Sequence, residues 1–364
     1  ILLIYLGDLA YFHSWDNIQP IPLNVGYVAA YLKEKHPEIE IEIFKEPRKL
    51  MDRVSEKSPD ILGLSHYEWN SNLDLAILKH VKKIDSNVIT VMGGPSFQPY
   101  DSNWIKEFFQ KRPNLDTYVT NEGEWSFTRL VELLMENNMQ LSNIPTDDLP
   151  ATVHYQNKEN SSVVNNPKNM VKRLDLKEHP SPYLTGVLDD FLKDPHLAPV
   201  METNRGCPYA CTFCNWGNAT KSAVNKFSLD TIKNEMEYIA SNTRNTKGFF
   251  YVGDANFGIL KRDEEIANVI NNCSKNADFA HVSFSIENRD VNSIEPPTST
   301  GVIVCNPPYG LRLGQNVDAV YRCLGERWRE SFCSTNGGWR VVFLSPNLRL
   351  ARLVDKRVQS AYQF

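Results

Sequence analysis

Over the first 140 residues, short continuous apolar runs alternate with stretches whose apolar positions recur at three-to-four spacing. The runs at 1–7, 39–44, 60–66, 88–94 and 117–120 have the length of buried strands, and the stretches 24–35, 73–83, 103–111 and 125–137 have the period of helices packed on one side. This alternation predicts an α/β domain around a five-stranded parallel sheet. Such sheets take ligands beyond the carboxyl ends of their strands, which are here the loops after Gly7, Ser65, Gly94 and Thr120.

Residues 141–196 are rich in Asn, Asp, Pro and Lys, with two weak strand-like pieces at 151–155 and 162–164, and form a connector. A second βα series follows: strand 200–203, a cysteine-bearing loop, helix 229–240, strand 248–253, helix 263–272 and strand 281–285. That is about three βα units, where a closed parallel barrel needs eight. The series stops at a Pro/Ser/Thr-rich stretch, 293–300, and a new strand, 301–305, runs into Asn306-Pro307-Pro308-Tyr309. The expected organisation is therefore a sheet domain at 1–140, a connector at 141–196, a partial barrel at 197–290, a junction at 291–300 and a separate piece at 301–364. No internal repeat or low-complexity tract interrupts it.

At 364 residues and 41% apolar content, the chain can bury ordinary cores. No apolar stretch approaches the roughly 20 residues that span a bilayer, and the opening ILLIYLG has the look of a strand and not of a signal peptide. A cytoplasmic protein without a membrane partner is expected. Because Ile1 opens inside a strand, a few residues including the initiator are expected to precede it. Three of the seven cysteines fall within 207–214, while Cys273, Cys305, Cys323 and Cys333 are scattered, which suits a reducing compartment better than a disulfide framework. The net charge of −5 conceals a break: residues 301–364 carry a net +5, rich in Arg, and residues 1–300 a net −10. The two parts differ enough to suggest a fused or mis-assembled reading frame.

Cys207, Cys211 and Cys214, in CPYACTFC, can each hold one iron of a cubane and leave the fourth iron without a protein ligand. An open iron can chelate the amino and carboxylate groups of S-adenosylmethionine (SAM), whose bond from sulfur to C5′ is then split by one electron to give a 5′-deoxyadenosyl radical. Gly206 and Pro208 suit a tight loop around such a cluster, and Phe213 can offer a ring near the adenine. A structural zinc site is the alternative, but zinc normally takes four ligands in CxxC or HxxxH pairs and no second pair lies in reach. Glu202 and Arg205 flank the loop and can pair for structure alone.

The stretches ETNRGCPYACTFCNWG and YVGDANFGILKRDEE resemble the radical SAM enzymes that carry an N-terminal cobalamin-binding domain. The resemblance runs over about residues 1–288 and implies a flavodoxin-like parallel sheet of the cobalamin-binding type followed by a partial radical SAM (β/α) barrel. It makes Cys207, Cys211 and Cys214 the ligands of a [4Fe-4S] cluster, puts Phe213 at the nucleoside of SAM, and puts Asp254 and Asn256 at its methionine end. For Asp254 and Asn256 a turn or helix cap before Asp263 is the alternative. In the sheet domain the resemblance assigns Asn24, Gly26, Ser65, the turn Gly93-Gly94-Pro95, and Glu122 with Gly123 to cobalamin; tight βα turns alone would also account for these glycines. Two residues after Asp8 stands Ala10, so the DxHxxG pattern that supplies a lower histidine ligand in many cobalamin proteins is missing. His66 is a substitute ligand or a hydrogen-bonded structural residue.

VIVCNPPYGLRLG and GGWRVVFLSPNLRLARLV resemble the C-terminal half of THUMP-associated ribosomal-RNA guanine methyltransferases. This second resemblance covers residues 301–364, a fragment of a Rossmann-like methyltransferase. It implies that Asn306, Pro307, Pro308 and Tyr309 meet a flipped base, although no glycine-rich cofactor loop precedes them. The leading expectation is a cobalamin-dependent radical SAM enzyme that methylates or rearranges a small molecule or other substrate, with an electron donor such as flavodoxin or ferredoxin and RNA as a partner only if the tail functions. The rivals are an rRNA base methyltransferase acting through the NPPY tail and a corrinoid and cluster binder without turnover. No catalytic residue beyond the cofactor ligands is legible.

Overall fold

The structure is a computed structural model, and it describes residues 1–10, 19–99, 101–158, 160, 162–169, 174–177, 179–209, 223–244, 250–274, 301–305, 317–332, 339–343 and 348–356. It divides into two compact units, Ile1–Ser285 and Ile286–Phe364. The first begins with β1 (Leu3–Gly7), β2 (Gln19–Pro20), α1 (Leu23–Lys35), β3 (Glu40–Phe44), α2 (Pro47–Glu56), β4 (Ile61–Ser65), α3 (Ser71–Ile84), β5 (Ile89–Gly93), α4 (Ser102–Gln110), β6 (Thr117–Val119) and α5 (Gly123–Glu136). It continues with β7 (Val153–Gln156), β8 (Val163–Val164), α6 (Asp189–Leu192), β9 (Leu197–Ala198), β10 (Val200–Met201), β11 (Asn204–Arg205), β12 (Asn225–Lys226), α7 (Leu229–Asn242), β13 (Tyr251–Val252) and α8 (Asp263–Ser274).

The five expected strands all form, and they lie in the order β3-β1-β4-β5-β6, every neighbouring pair parallel. This is the flavodoxin-like order, whose topological switch falls between β1 and β4. The sheet is wider than the sequence suggests: β7 and β8 extend it beyond β6 as antiparallel strands, so seven strands form one sheet and the connector supplies two of them. Both faces are covered, which is why β1 and β4 are buried along their whole length. Successive residues of β1 serve opposite faces. Leu3 and Tyr5 join the core with α2, α3 and α4, whereas Ile4 and Leu6 join the core with α1 and α5.

Local chemistry sets several helix starts. The Asp101 carboxylate accepts from the amides of Asn103 and Trp104 at 2.9 and 3.1 Å to cap α4, and Ser228 Oγ accepts from the amide of Thr231 at 2.9 Å to cap α7. Helix α2, absent from the sequence reading, begins with Pro47 at its first turn and buries only Pro47, Leu50 and Val54, too narrow a stripe to stand out.

A third core lies beyond α1. Leu23 and Tyr27 of α1 pack there with Tyr183 and Leu188 of the connector, Met201 of β10, and Ile232, Met236 and Ile239 of α7. Helix α1 is thus buried on two sides, one toward the sheet and one toward the second βα series. Within that series β10 pairs in parallel with β13, and β11 pairs antiparallel with β12 as a short two-stranded clamp. The expected strand at 281–285 lies outside the described residues. No helix among the described residues is long and apolar enough to cross a membrane.

The second unit contains β14 (Gly301–Cys305) and β15 (Trp339–Phe343), paired in parallel over five residues, with α9 (Val317–Arg327) and α10 (Leu348–Val354) joined by a small core of Tyr321, Leu350 and Val354.

Candidate functional site

At the switch point the polar groups are tied to one another. The Asp8 carboxylate, just past β1, accepts from Lys45 Nζ at 2.7 Å, Ser65 Oγ at 2.5 Å and Asn24 Nδ2 at 3.3 Å, and Asn24 Nδ2 also reaches the Tyr67 hydroxyl at 3.1 Å. Asn70 closes the loop after β4 by donating to the Ser65 carbonyl and accepting from the Tyr67 amide, both at 2.8 Å. On this base stands an aromatic pair: Trp69 lies parallel to Tyr67, 4.4 Å between ring centres, and is 80% exposed. A large flat side chain left in solvent at the ligand edge of a sheet is a surface that a planar ligand can cover.

The assigned glycines separate by what surrounds them. Gly94 has φ +142°, and a Cβ there would stand 2.4 Å from the His66 carbonyl oxygen, so its turn admits no side chain whatever binds nearby. A Cβ at Gly93 would stand 3.2 Å from the Val119 carbonyl oxygen, and Pro95 follows in the same turn. A Cβ at Gly26 would stand 3.0 Å from the Leu188 side chain, so its small size serves the packing of α1 on the connector. Gly123 opens α5 and would place a Cβ in ordinary contact with Val28 at 3.4 Å, with Glu122 as the residue before the helix. The fold makes no demand for glycine at Gly123.

His66 is buried, with Nδ1 3.3 Å from the Tyr118 hydroxyl and Nε2 3.2 Å from Ser71 Oγ. Burial, with a smaller effect from Arg112, pushes its pKa down to about 4. Both nitrogens are engaged inside the protein, which is the structural alternative of the sequence reading.

The base of the cysteine loop is held by Asp254, just past β13. Its carboxylate accepts from the amides of Thr203 at 2.6 Å and Asn204 at 3.2 Å, from Thr203 Oγ1 at 2.5 Å and from Asn204 Nδ2 at 2.7 Å. Burial pushes this carboxyl up, and the bonds from Thr203 and Asn204 pull against it. Both Asp254 oxygens are thus engaged by the chain leading into the loop. Asp263 accepts from the amides of Gly258 and Leu260 at 2.7 and 3.0 Å and closes the turn before α8. Asn256 points the other way, with Nδ2 2.8 Å from Cys207 Sγ. Cys207 is a free, buried thiol. Cys211, Cys214 and Phe213 lie outside the described residues, as do Asn306, Pro307, Pro308 and Tyr309.

Two residues ahead of Cys207, Arg205 pairs with Glu202 as anticipated, Nε to Oε2 at 2.7 Å, and also with Glu124 of α5, Nη1 to Oε1 at 2.8 Å. Its guanidinium lies 4.8 Å from the Tyr27 ring and 5.8 Å from the Phe227 ring. His179 adds Nε2 at 3.5 Å from the same Glu124 oxygen. Burial would raise the Glu124 carboxyl, but Arg205 and His179 outweigh it and hold it down to about 2. Burial pushes Glu202 up, with Arg205 offsetting part. Glu124 carries no signal in the sequence, because its partner Arg205 is distant along the chain.

Residues 18–131 match the B12 binding domain family, and residues 259–363 match the RMKL-like methyltransferase domain family. "Cobalamin-dependent radical SAM methyltransferase TokK" of Streptomyces tokunonensis is 33% identical over 275 residues, covering 72% of this chain and 38% of that protein. The first part of the chain is similar to cobalamin-dependent radical SAM methyltransferases. The chain spans well under half the length of that relative. The solved structure of the cobalamin-dependent SAM radical enzyme OxsB, with aqua-cobalamin and SAM bound, matches 94% of this chain and 44% of its own at a TM-score of 0.55 and 18% identity, a likeness of fold. The tail resembles "Ribosomal RNA large subunit methyltransferase K/L" of Alteromonas mediterranea, 37% identical over 92 residues, 24% of this chain and 13% of that protein.

Proposed function

We propose that this chain carries the cobalamin-binding and cluster-binding parts of a radical SAM methyltransferase that acts on an unreactive carbon of a substrate taken from outside the protein. The observation that carries the reading is the physical tie between its halves: Arg205, next to the cysteine loop, is ion-paired to Glu124 in the segment matched by the B12 binding domain family.

The residues fit both groups. Cys207 offers a buried thiol at the mouth of a loop whose spacing with Cys211 and Cys214 suits three irons of a cubane, and Asn256 stands ready to donate to a sulfur there. Cobalamin needs polar partners for its rim amides and apolar area for the corrin face. The Asp8, Asn24 and Ser65 group supports the first, and the Tyr67–Trp69 pair the second. When bound, the cluster with SAM supplies a radical that removes hydrogen, and the corrin supplies a methyl group. The protein's own work is placement. Asp254 fixes the start of the loop, the clamp of β11 and β12 fixes its two ends, and the core around Tyr27 and Phe227 keeps water from the Arg205 charge. One electron must come from a small carrier such as flavodoxin or ferredoxin.

Anaerobically reconstituted chain, reduced and given SAM, is expected to release 5′-deoxyadenosine, and Cys211→Ala is expected to abolish the release. Release unchanged in Cys211→Ala would refute the reading. The family match at 259–363 favours a second one, base methylation by the tail. Transfer of tritiated methyl from SAM to ribosomal RNA, lost in Asn306→Ala, would establish it; the first reading expects no label.

A further inference from the structure

The Arg205 cluster goes beyond what either cofactor site needs for itself. A buried ion pair is a weak source of stability, since removing charges from water offsets most of their attraction. Its strength lies in direction: a guanidinium is a planar fork that stays charged, and two carboxylates from different elements fix its plane. Here Glu202 lies just after β10 and Glu124 in the first turn of α5, while the Tyr27 ring comes from α1 and the Phe227 ring from just after β12. The Arg205 side chain is 12% exposed and that of Glu124 5%. Cys207 is two residues on, a reach of at most about 7 Å of extended chain. Whatever holds the guanidinium also limits where the Cys207 thiol can go relative to α1 and α5.

Helix α1 carries the matching link on the corrin side. Asn24 in its first turn joins the Asp8 and Tyr67 network at the switch point, and Tyr27, one turn on, lies against Arg205. One rigid helix therefore touches the ligand edge of the sheet and the approach to the cysteine loop.

Resting on the function proposed above, we infer that Arg205 is a positioning residue that sets the separation and orientation of the cluster relative to the corrin, through Glu124 and the face of Tyr27. It touches neither cofactor and takes no part in bond breaking.

The test uses the reconstituted full chain with cobalamin in its paramagnetic cob(II) form and the cluster reduced, so that each centre carries an unpaired spin. Pulsed electron paramagnetic resonance reads the distance distribution between them. The wild type is expected to give one narrow distribution. Glu124→Gln, which keeps the shape of the side chain but removes the charge that orients the guanidinium, is expected to broaden and shift it, with iron content and cobalamin content unchanged. Arg205→Lys, which restores charge without the fork, is expected to broaden it too. Should Arg205→Met fail to fold, Glu124→Gln still decides. Distributions identical to wild type in Glu124→Gln and Arg205→Lys overturn the inference while leaving the proposed function intact; wild-type chain that holds no cluster or no cobalamin overturns both.

Discussion

Replacing Gly94 by alanine tests whether the turn after β5 is dictated by the fold or by a ligand. At φ +142° a non-glycine residue costs about 1–3 kcal/mol of backbone strain. The added Cβ would also stand 2.4 Å from the His66 carbonyl oxygen, a backbone atom that cannot rotate away, so the loop after β4 must shift. Together these predict a loss of about 3 kcal/mol or more, a large effect for a single methyl. With a denaturant slope of about 3 kcal/mol/M for a unit of this size, the urea midpoint should fall by about 1 M. Gly123→Ala is the control, because its Cβ meets Val28 at 3.4 Å and alanine favours the helix that begins there. Its midpoint should stay level or rise. Equilibrium urea unfolding followed by circular dichroism reads both. A Gly94→Ala midpoint within about 0.2 M (about 0.6 kcal/mol) of wild type would refute the reasoning. Lost cobalamin binding in Gly94 variants therefore says nothing about contact, whereas a bulky residue at Gly123 that lowers cobalamin retention in equilibrium dialysis at unchanged stability would.

His154, buried beside Phe97 with neither ring nitrogen partnered among the described residues, has its pKa pushed down to about 4 by burial. The unfolded chain takes up this proton near pH 6.5 and the folded chain does not, so stability should fall as pH drops from 6.5 toward 4, by about 2–3 kcal/mol from this residue. His154→Phe should remove that part of the slope in urea titrations at pH 4.5 and 7, and an unchanged slope would count against it. Asn256→Ala removes the donor 2.8 Å from Cys207 Sγ and should make the cluster harder to reduce. A differential loss of about 1 kcal/mol corresponds to about 40 mV for one electron. Redox titration should show that shift at unchanged iron content, and an identical potential would remove Asn256 from the cluster's surroundings.

The parallel strands were legible because a sheet covered on both faces turns each strand into a continuous apolar run, as in LIYLG and ILGLS. Helix α2 was not, since PRKLMDRVSE buries so little of itself. The pieces at 151–155 and 162–164 could be seen as strand-like, but their addition to the sheet beyond β6 depends on contacts that periodicity does not encode. The cysteine spacing pointed to a loop and to a chemistry for it. Sequence could not divide the work within it: Asp254 and Asn256 stand two residues apart, yet one ties down Thr203 and Asn204 while the other faces Cys207. Gly26 shows the same limit, because a glycine that admits Leu188 and one that admits a ligand have the same letter. Glu124 was not legible at all, since only the fold brings it to Arg205.

The central claim is a three-thiolate cluster whose fourth iron is open to SAM beside a corrin-binding sheet. Its most direct test is the electron paramagnetic resonance spectrum of the reduced, reconstituted chain before and after addition of SAM carrying 17O in its carboxylate. The account predicts that SAM shifts the cluster signal and that the label adds hyperfine coupling, both absent in Cys207→Ala. A cluster signal unmoved by SAM, or no cluster signal at all, would contradict it.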